Sequence, residues 1–93
     1  MPRKFTIAEI ASALEALEGW QAGEDQIHRE CTFAGHIEAV GFVVRVAMAA
    51  EVMDHHPDLR MVYNRVEIRL SSHDAGGVTG RDIALAKRIN ELL

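Results

Sequence analysis

The chain has 93 residues, 48% of them hydrophobic and 26% charged, with a formal net charge of −4. That mixture belongs to a globular protein and excludes a disordered tail, while the acidic balance argues against general nucleic-acid binding, which needs cationic surface to displace counterions from phosphates. A chain this short buries only about 60–65% of its unfolded surface, so this much apolar side chain favours association with further copies.

Thr6-Ile7-Ala8-Glu9 has the form of a capping box, and Ile7, Ile10, Leu14 and Leu17 then make one apolar helical stripe that Gly19 ends. Trp20-Gln21 and residues 27–34 read as two strands around a turn at Ala22-Gly23-Glu24-Asp25. In the second strand Ile27, Arg29, Cys31 and Phe33 share one face, and His28, Glu30 and Thr32 the other. A long helix is expected from His36 to about Met53, apolar around most of its circumference through Val40, Val43, Val44, Ala47 and Met48 and relieved by Glu38 and Arg45. Such a helix is buried on two sides, one against a sheet and the other against a neighbouring subunit. Its apolar runs, 39–44 and 46–50, are far too short to span a bilayer.

Pro57 blocks the helix and pushes the residue before it toward extended backbone. Residues 58–63 and 66–71 then form a hairpin turning at Asn64-Arg65, the second strand alternating cleanly through Val66, Ile68 and Leu70. Ala75-Gly76-Gly77 is a flexible loop, and Thr79 opens a last helix with Asp82 in the capping position, running through Ile83, Ala86, Ile89 and Leu93. The order α-β-β-α-β-β-α, with hairpins in place of βαβ crossovers, predicts an α+β two-layer domain over residues 1–93. Its four-stranded antiparallel sheet carries three helices on one face. Arg3-Lys4 leads into an amphipathic stretch with no secretory apolar core, and the lone Cys31 cannot form an internal disulfide, which fits a reducing cytoplasm.

The residues able to do chemistry gather at element ends. His55 and His56 sit at a helix C-terminus, where the dipole favours imidazolium; Glu51, one turn earlier, is placed to orient His55. His73 follows the fourth strand and Asp82 starts the last helix, so a sheet that folds back would bring three histidines and two carboxylates into one cleft. Taken singly, a histidine at a helix end is a cap, Asp82 is a capping residue, Trp20 is core or rim, and His28 and His36 are structural. Three histidines and a carboxylate could hold zinc or iron, but there is no H-E-x-x-H and no Cys pair, and adjacent histidines at a helix-to-strand junction point apart. Nucleophilic catalysis is weaker: Cys31 is mid-strand, and neither Ser71 nor Ser72 sits in a G-x-S-x-G elbow. The glycines lack the strand–G-x-G-x-x-G–helix setting of a nucleotide loop.

The spacing E-x3-H-H-P-D (Glu51, His55, His56, Pro57, Asp58), then Tyr63, then S-H-D-x-G-G-x-T-x-x-D from Ser72 to Asp82 resembles the pterin-4a-carbinolamine dehydratase family. Trp20, Phe33 and Arg45-Val46-Ala47 are similar as well, and the likeness covers nearly the whole chain. Ser72 stands where that family usually has Thr, and Cys31 where an aromatic is commoner. The resemblance implies a metal-free, cofactor-free cytoplasmic lyase that dehydrates a 4a-hydroxytetrahydropterin to the quinonoid dihydropterin, recycling the cofactor of aromatic amino-acid hydroxylases. It implies that His55 and His73 form the acid–base pair, exchanging roles for the two hydroxyl epimers. His56 binds and polarises the pterin, and Asp82 holds a histidine in the needed tautomer. Glu51, Pro57, Asp58, Trp20 and Ser72 give support. It further implies dimers joined through the sheet, tetramers built through the central helix, and an alternative role as an assembly partner of a hydroxylase or another protein, while the charge and the short apolar runs already argue against a nucleic-acid or membrane partner.

Overall fold

The computed structural model describes residues 3–93. Its elements are α1 (Ile7–Leu14), β1 (Gln21–Gly23), β2 (Gln26–Thr32), α2 (His36–Met53), β3 (Asp58–Val62), β4 (Arg65–Leu70), a 3₁₀ turn over His73–Ala75, and α3 (Gly80–Glu91). This is the expected α+β order, with three helices and one antiparallel four-stranded sheet. The strands lie in the order β1-β2-β4-β3, so the two hairpins are joined by pairing of β2 with β4 at the centre.

The central register sets Ile27 opposite Leu70 and Cys31 opposite Val66. Because side chains alternate along a strand, this register sends Ile27, Cys31, Val66, Ile68 and Leu70 to one buried face. His28, Glu30, Glu67 and Arg69 fall on the other, open face. The buried face packs with Phe42 and Val46 of α2, Leu85 and Ile89 of α3, and Leu17 and Trp20 in one core. Phe42 has no exposed surface, and truncating a fully buried phenylalanine to alanine costs about 3–5 kcal/mol.

Helix α2 turns Ala39, Phe42, Val46 and Ala50 inward. Its other side carries Val40, Val44, Met48 and Val52, exposed at 38%, 52%, 66% and 87%. The helix is therefore apolar on both sides, with one side covered within the chain and the other bare. None of the helices is long and apolar enough to cross a membrane, among the described residues.

Several local expectations change. Helix α1 stops at Leu14, with turns through Gly19 at φ 85°, and its stripe engages the core only from Ile10 onward, because Ile7 is 88% exposed. Trp20 is not in a strand: it is buried, and its indole N–H donates to Asn90 Oδ1 at 2.9 Å. The second hairpin turns at Tyr63-Asn64, one residue early. Asn64 is pinned there because its side chain donates to the Phe33 carbonyl and its carbonyl accepts from the Phe33 N–H, each at 2.9 Å. The loop after β4 is fastened rather than loose, since the Ser72 N–H donates to the Gly77 carbonyl at 2.8 Å.

Candidate active site

The end of α2 sets the two neighbouring histidines apart. Asp54 adopts the left-handed conformation at φ 50°, which a short polar side chain tolerates, and the His55 N–H bonds back to the Ala50 carbonyl at 3.1 Å. Pro57 then prevents any return to helix. The turn drives His55 inward to 8% exposure, with Nε2 2.5 Å from Asp82 Oδ1. His56 stays on the surface, its Nε2 2.8 Å from Glu51 Oε1. The expected contact of Glu51 with His55 is thus not made, because the left-handed residue gives His56 the seat over the last helical turn.

Asp82 is the hub of a buried polar network. Its Oδ2 accepts from the Ser72 hydroxyl and from the Thr79 N–H, both at 2.8 Å, while Oδ1 faces His55. His55, Ser72, Thr79 and Asp82 are all buried, and each finds a partner within the set, as a low-dielectric interior demands. The donor count fixes the protons. The single Ser72 hydroxyl proton goes to Asp82, so Thr79, whose Oγ1 lies 2.9 Å away, donates to Ser72. A carboxylate only accepts, so His55 must carry a proton on Nε2, which in the neutral form of the ring leaves the lone pair on Nδ1. Asp82 therefore closes the capping box of α3 and selects the tautomer of His55 with one side chain.

Above this network a small cleft is lined by Gln26, His56, Asp58, Arg69, Ser71 and His73. It draws on the starts of β2 and β3 and on the end of β4, with Asp58 directly opposite Arg69. His73 opens the 3₁₀ turn and is exposed. Each cleft histidine adjoins in sequence a member of the buried network: His56 follows His55, and His73 follows Ser72. The network thus anchors the backbone from which both exposed rings project.

Of the expected site residues, His56, Asp58 and His73 line the cleft, and His55, Ser72 and Asp82 form the buried layer. Pro57 is half-buried between the two histidines and β3, and Glu51 reaches the site through His56. Trp20 is placed in the core, bonded to Asn90 at the end of α3, and does not line the cleft. Gln26 and Arg69 also line the cleft without any sign of it in the sequence, as does Ser71, which the sequence offered only as a nucleophile and in the wrong setting for one. They reach the cleft only through the β2–β4–β3 register, and an alternating strand gives no sign of which strand will lie beside it. Among the described residues, no group of three or more His, Cys, Asp or Glu side chains is placed to hold a metal ion.

Residues 3–92 match the family model described as pterin 4 alpha carbinolamine dehydratase. A protein of Koribacter versatilis whose name places it among the pterin-4-alpha-carbinolamine dehydratases is 47% identical over 92 residues, covering 99% of this chain and 98% of its own. A Paraburkholderia xenovorans protein of the same name is 51% identical over 94 residues, with the same coverage. Among solved structures, a crystal structure of a transcriptional coactivator/pterin dehydratase from Brucella melitensis superposes with a TM-score of 0.92 at 39% identity, over 97% of this chain and 98% of that one. A pterin dehydratase-like RuBisCO assembly factor of the alpha-carboxysome, 19% identical with a TM-score of 0.66 over 78% of this chain and 84% of its own, shares the fold.

Proposed function

The chain belongs to the pterin 4 alpha carbinolamine dehydratase family, and from that premise we propose that it removes water from a 4a-hydroxytetrahydropterin to give the quinonoid dihydropterin. The observation that carries this reading is a cleft with two exposed histidines, backed by a third whose tautomer a buried carboxylate selects. In the reaction the C4a–O bond breaks and its electron pair leaves with oxygen, which takes a proton from an imidazolium. A ring N–H proton passes to a neutral imidazole, so one proton is supplied and one recovered. His73, standing in the cleft, and His55, in the buried layer behind it with its Nε2 held by Asp82, are the acid–base pair, with roles exchanged for the two hydroxyl epimers. His56, held by Glu51, binds and polarises the ring, and Asp58 lies beside it. Trp20 serves from the core.

The reaction needs no cofactor, and its place is the cytoplasm, where its quinonoid dihydropterin product, once reduced by a separate two-electron reductase, would again serve aromatic amino-acid hydroxylases. The test is dehydration of a synthetic carbinolamine by chelator-treated protein. His55→Ala and His73→Ala should each lower kcat by roughly 10²–10⁴-fold, the scale of one general acid or base. Unchanged rates in both variants, with the fold intact, would sink the assignment.

A second reading has its own observation in the bare ridge of Val40, Val44, Met48 and Val52 on α2. That ridge fits association, either as dimers and tetramers built through α2 and the sheet edge or as an assembly partner of another protein. Met48→Glu should lower the mass measured by sedimentation, while His73→Ala leaves it unchanged; equal masses for Met48→Glu and wild type would refute a role for the ridge.

A further inference from the structure

We infer that Arg81 is a positioning residue for His73, acting through its ion pair with Asp74. The inference rests on the reading of His73 as an acid–base group.

The His73 ring makes no side-chain hydrogen bond of its own among the described residues, so its direction is set by the turn that carries it. That turn is fastened at its start, where Ser72 bonds to Asp82 through its hydroxyl and to the Gly77 carbonyl through its N–H. It is closed at its end by Gly76, at φ 74°, whose N–H donates to the His73 carbonyl at 3.2 Å. Between those points, among the described residues, the only side chain of the turn with a hydrogen-bond or ion-pair partner outside it is Asp74, whose Oδ1 accepts from Arg81 Nη2. The residue after His73 is thereby clamped to the first turn of α3.

The clamp has a fixed base and a cost. The Arg81 N–H is itself held by Thr79 Oγ1 at 3.2 Å, so the arginine springs from the same network that orients His55. Its Nε is buried without a partner, an arrangement that a free surface arginine would avoid by turning outward. The guanidinium also holds the Asp74 carboxyl below the usual carboxylate range. An exposed ion pair alone contributes little to stability. This one joins the two elements whose relative placement decides where the His73 ring stands, and its consequence falls on geometry.

The experiment compares Arg81→Gln, Asp74→Asn, the double variant, and the charge exchange Asp74→Arg/Arg81→Asp. Each single change should lower kcat about 10-fold with KM within about twofold, since a displacement near 1 Å can cost up to 10²-fold. The double variant should be no worse than either single one, and the charge exchange should recover part of the loss. Histidine Cε1–H NMR resonances supply a readout that does not depend on turnover. His73 should shift and broaden in Arg81→Gln while His28 and His36 stay in place. Losses that add in the double variant, or an unmoved His73 resonance in Arg81→Gln, overturn the inference. Wild-type protein without dehydratase activity would remove the proposed reaction, and the resonances would still decide whether Arg81 holds His73.

Discussion

Replacing Asp82 with Asn tests whether the buried carboxylate is more than a helix cap. Asn preserves the size and shape of Asp but turns one of its two acceptor oxygens into a donor NH₂. The Thr79 N–H and the Ser72 hydroxyl both donate to Oδ2, so the amide oxygen must stay on that side. The NH₂ then faces His55 Nε2, which lay 2.5 Å from Oδ1. Two donors cannot face each other, and His55 must move its proton to Nδ1. The lone pair intended for the substrate is lost at nearly constant shape. Stability should fall by about 1–3 kcal/mol, the cost of one weakened buried hydrogen bond to a charged group. kcat should fall by roughly 10²-fold or more, the scale of one general base removed. Asp82→Ala leaves the His55 N–H, the Ser72 hydroxyl and the Thr79 N–H all without their acceptor, and should destabilise further. Carbinolamine dehydration followed by absorbance gives kcat, and circular dichroism in a urea series gives stability. A variant that loses stability but keeps wild-type kcat would reduce Asp82 to a cap and refute the tautomer argument.

Two further outcomes follow from the surface and the backbone. Glu9, bonded to Arg3 and to the Thr6 N–H, has its carboxyl lowered from 4.5 to about 2. A depressed carboxylate stabilises the fold above its unfolded value and loses that contribution as pH falls through the folded one. Protection of the α1 amides from hydrogen exchange should therefore drop between about pH 4.5 and 2, and Glu9→Gln should abolish this dependence. At Gly19, φ 85° and a Cβ only 2.5 Å from Arg29 Cζ predict that Gly19→Ala destabilises by more than the ordinary ~1 kcal/mol penalty of a left-handed residue. A loss of no more than ~1 kcal/mol would show that Arg29 yields freely, and a urea midpoint equal to wild type would refute the backbone penalty as well.

The parts of the molecule that could be read in advance are those specified by local chemistry. Helix α2 starts and stops where expected because Gly35 and Pro57 bound it, and β4 alternates so regularly that its buried face needed no partner to reveal it. Trp20 was misplaced because its decisive partner, Asn90, lies 70 residues away. The divergence of His55 and His56 at a helix-to-strand junction was legible as a tendency. Which ring turns inward was not, since the left-handed Asp54 decides it. Gln26 and Arg69 gained their place only when β4 settled between β2 and β3, a pairing set by the whole core rather than by either hairpin.

Trp20 is the only tryptophan of the chain, and its surroundings make it a built-in optical gauge. The indole is buried at 5% exposure and tethered to the last helix, and it does not touch the cleft. Its emission should stay at short wavelength until α3 lifts from the sheet, and then move red in one step with global unfolding. A quenching of that emission when a pterin is added would not report contact between the two rings. A shift in its emission wavelength, which energy transfer to the pterin and absorption by it do not cause, would measure how far a disturbance at the histidines travels through the core to the opposite end of the helix that Asp82 begins.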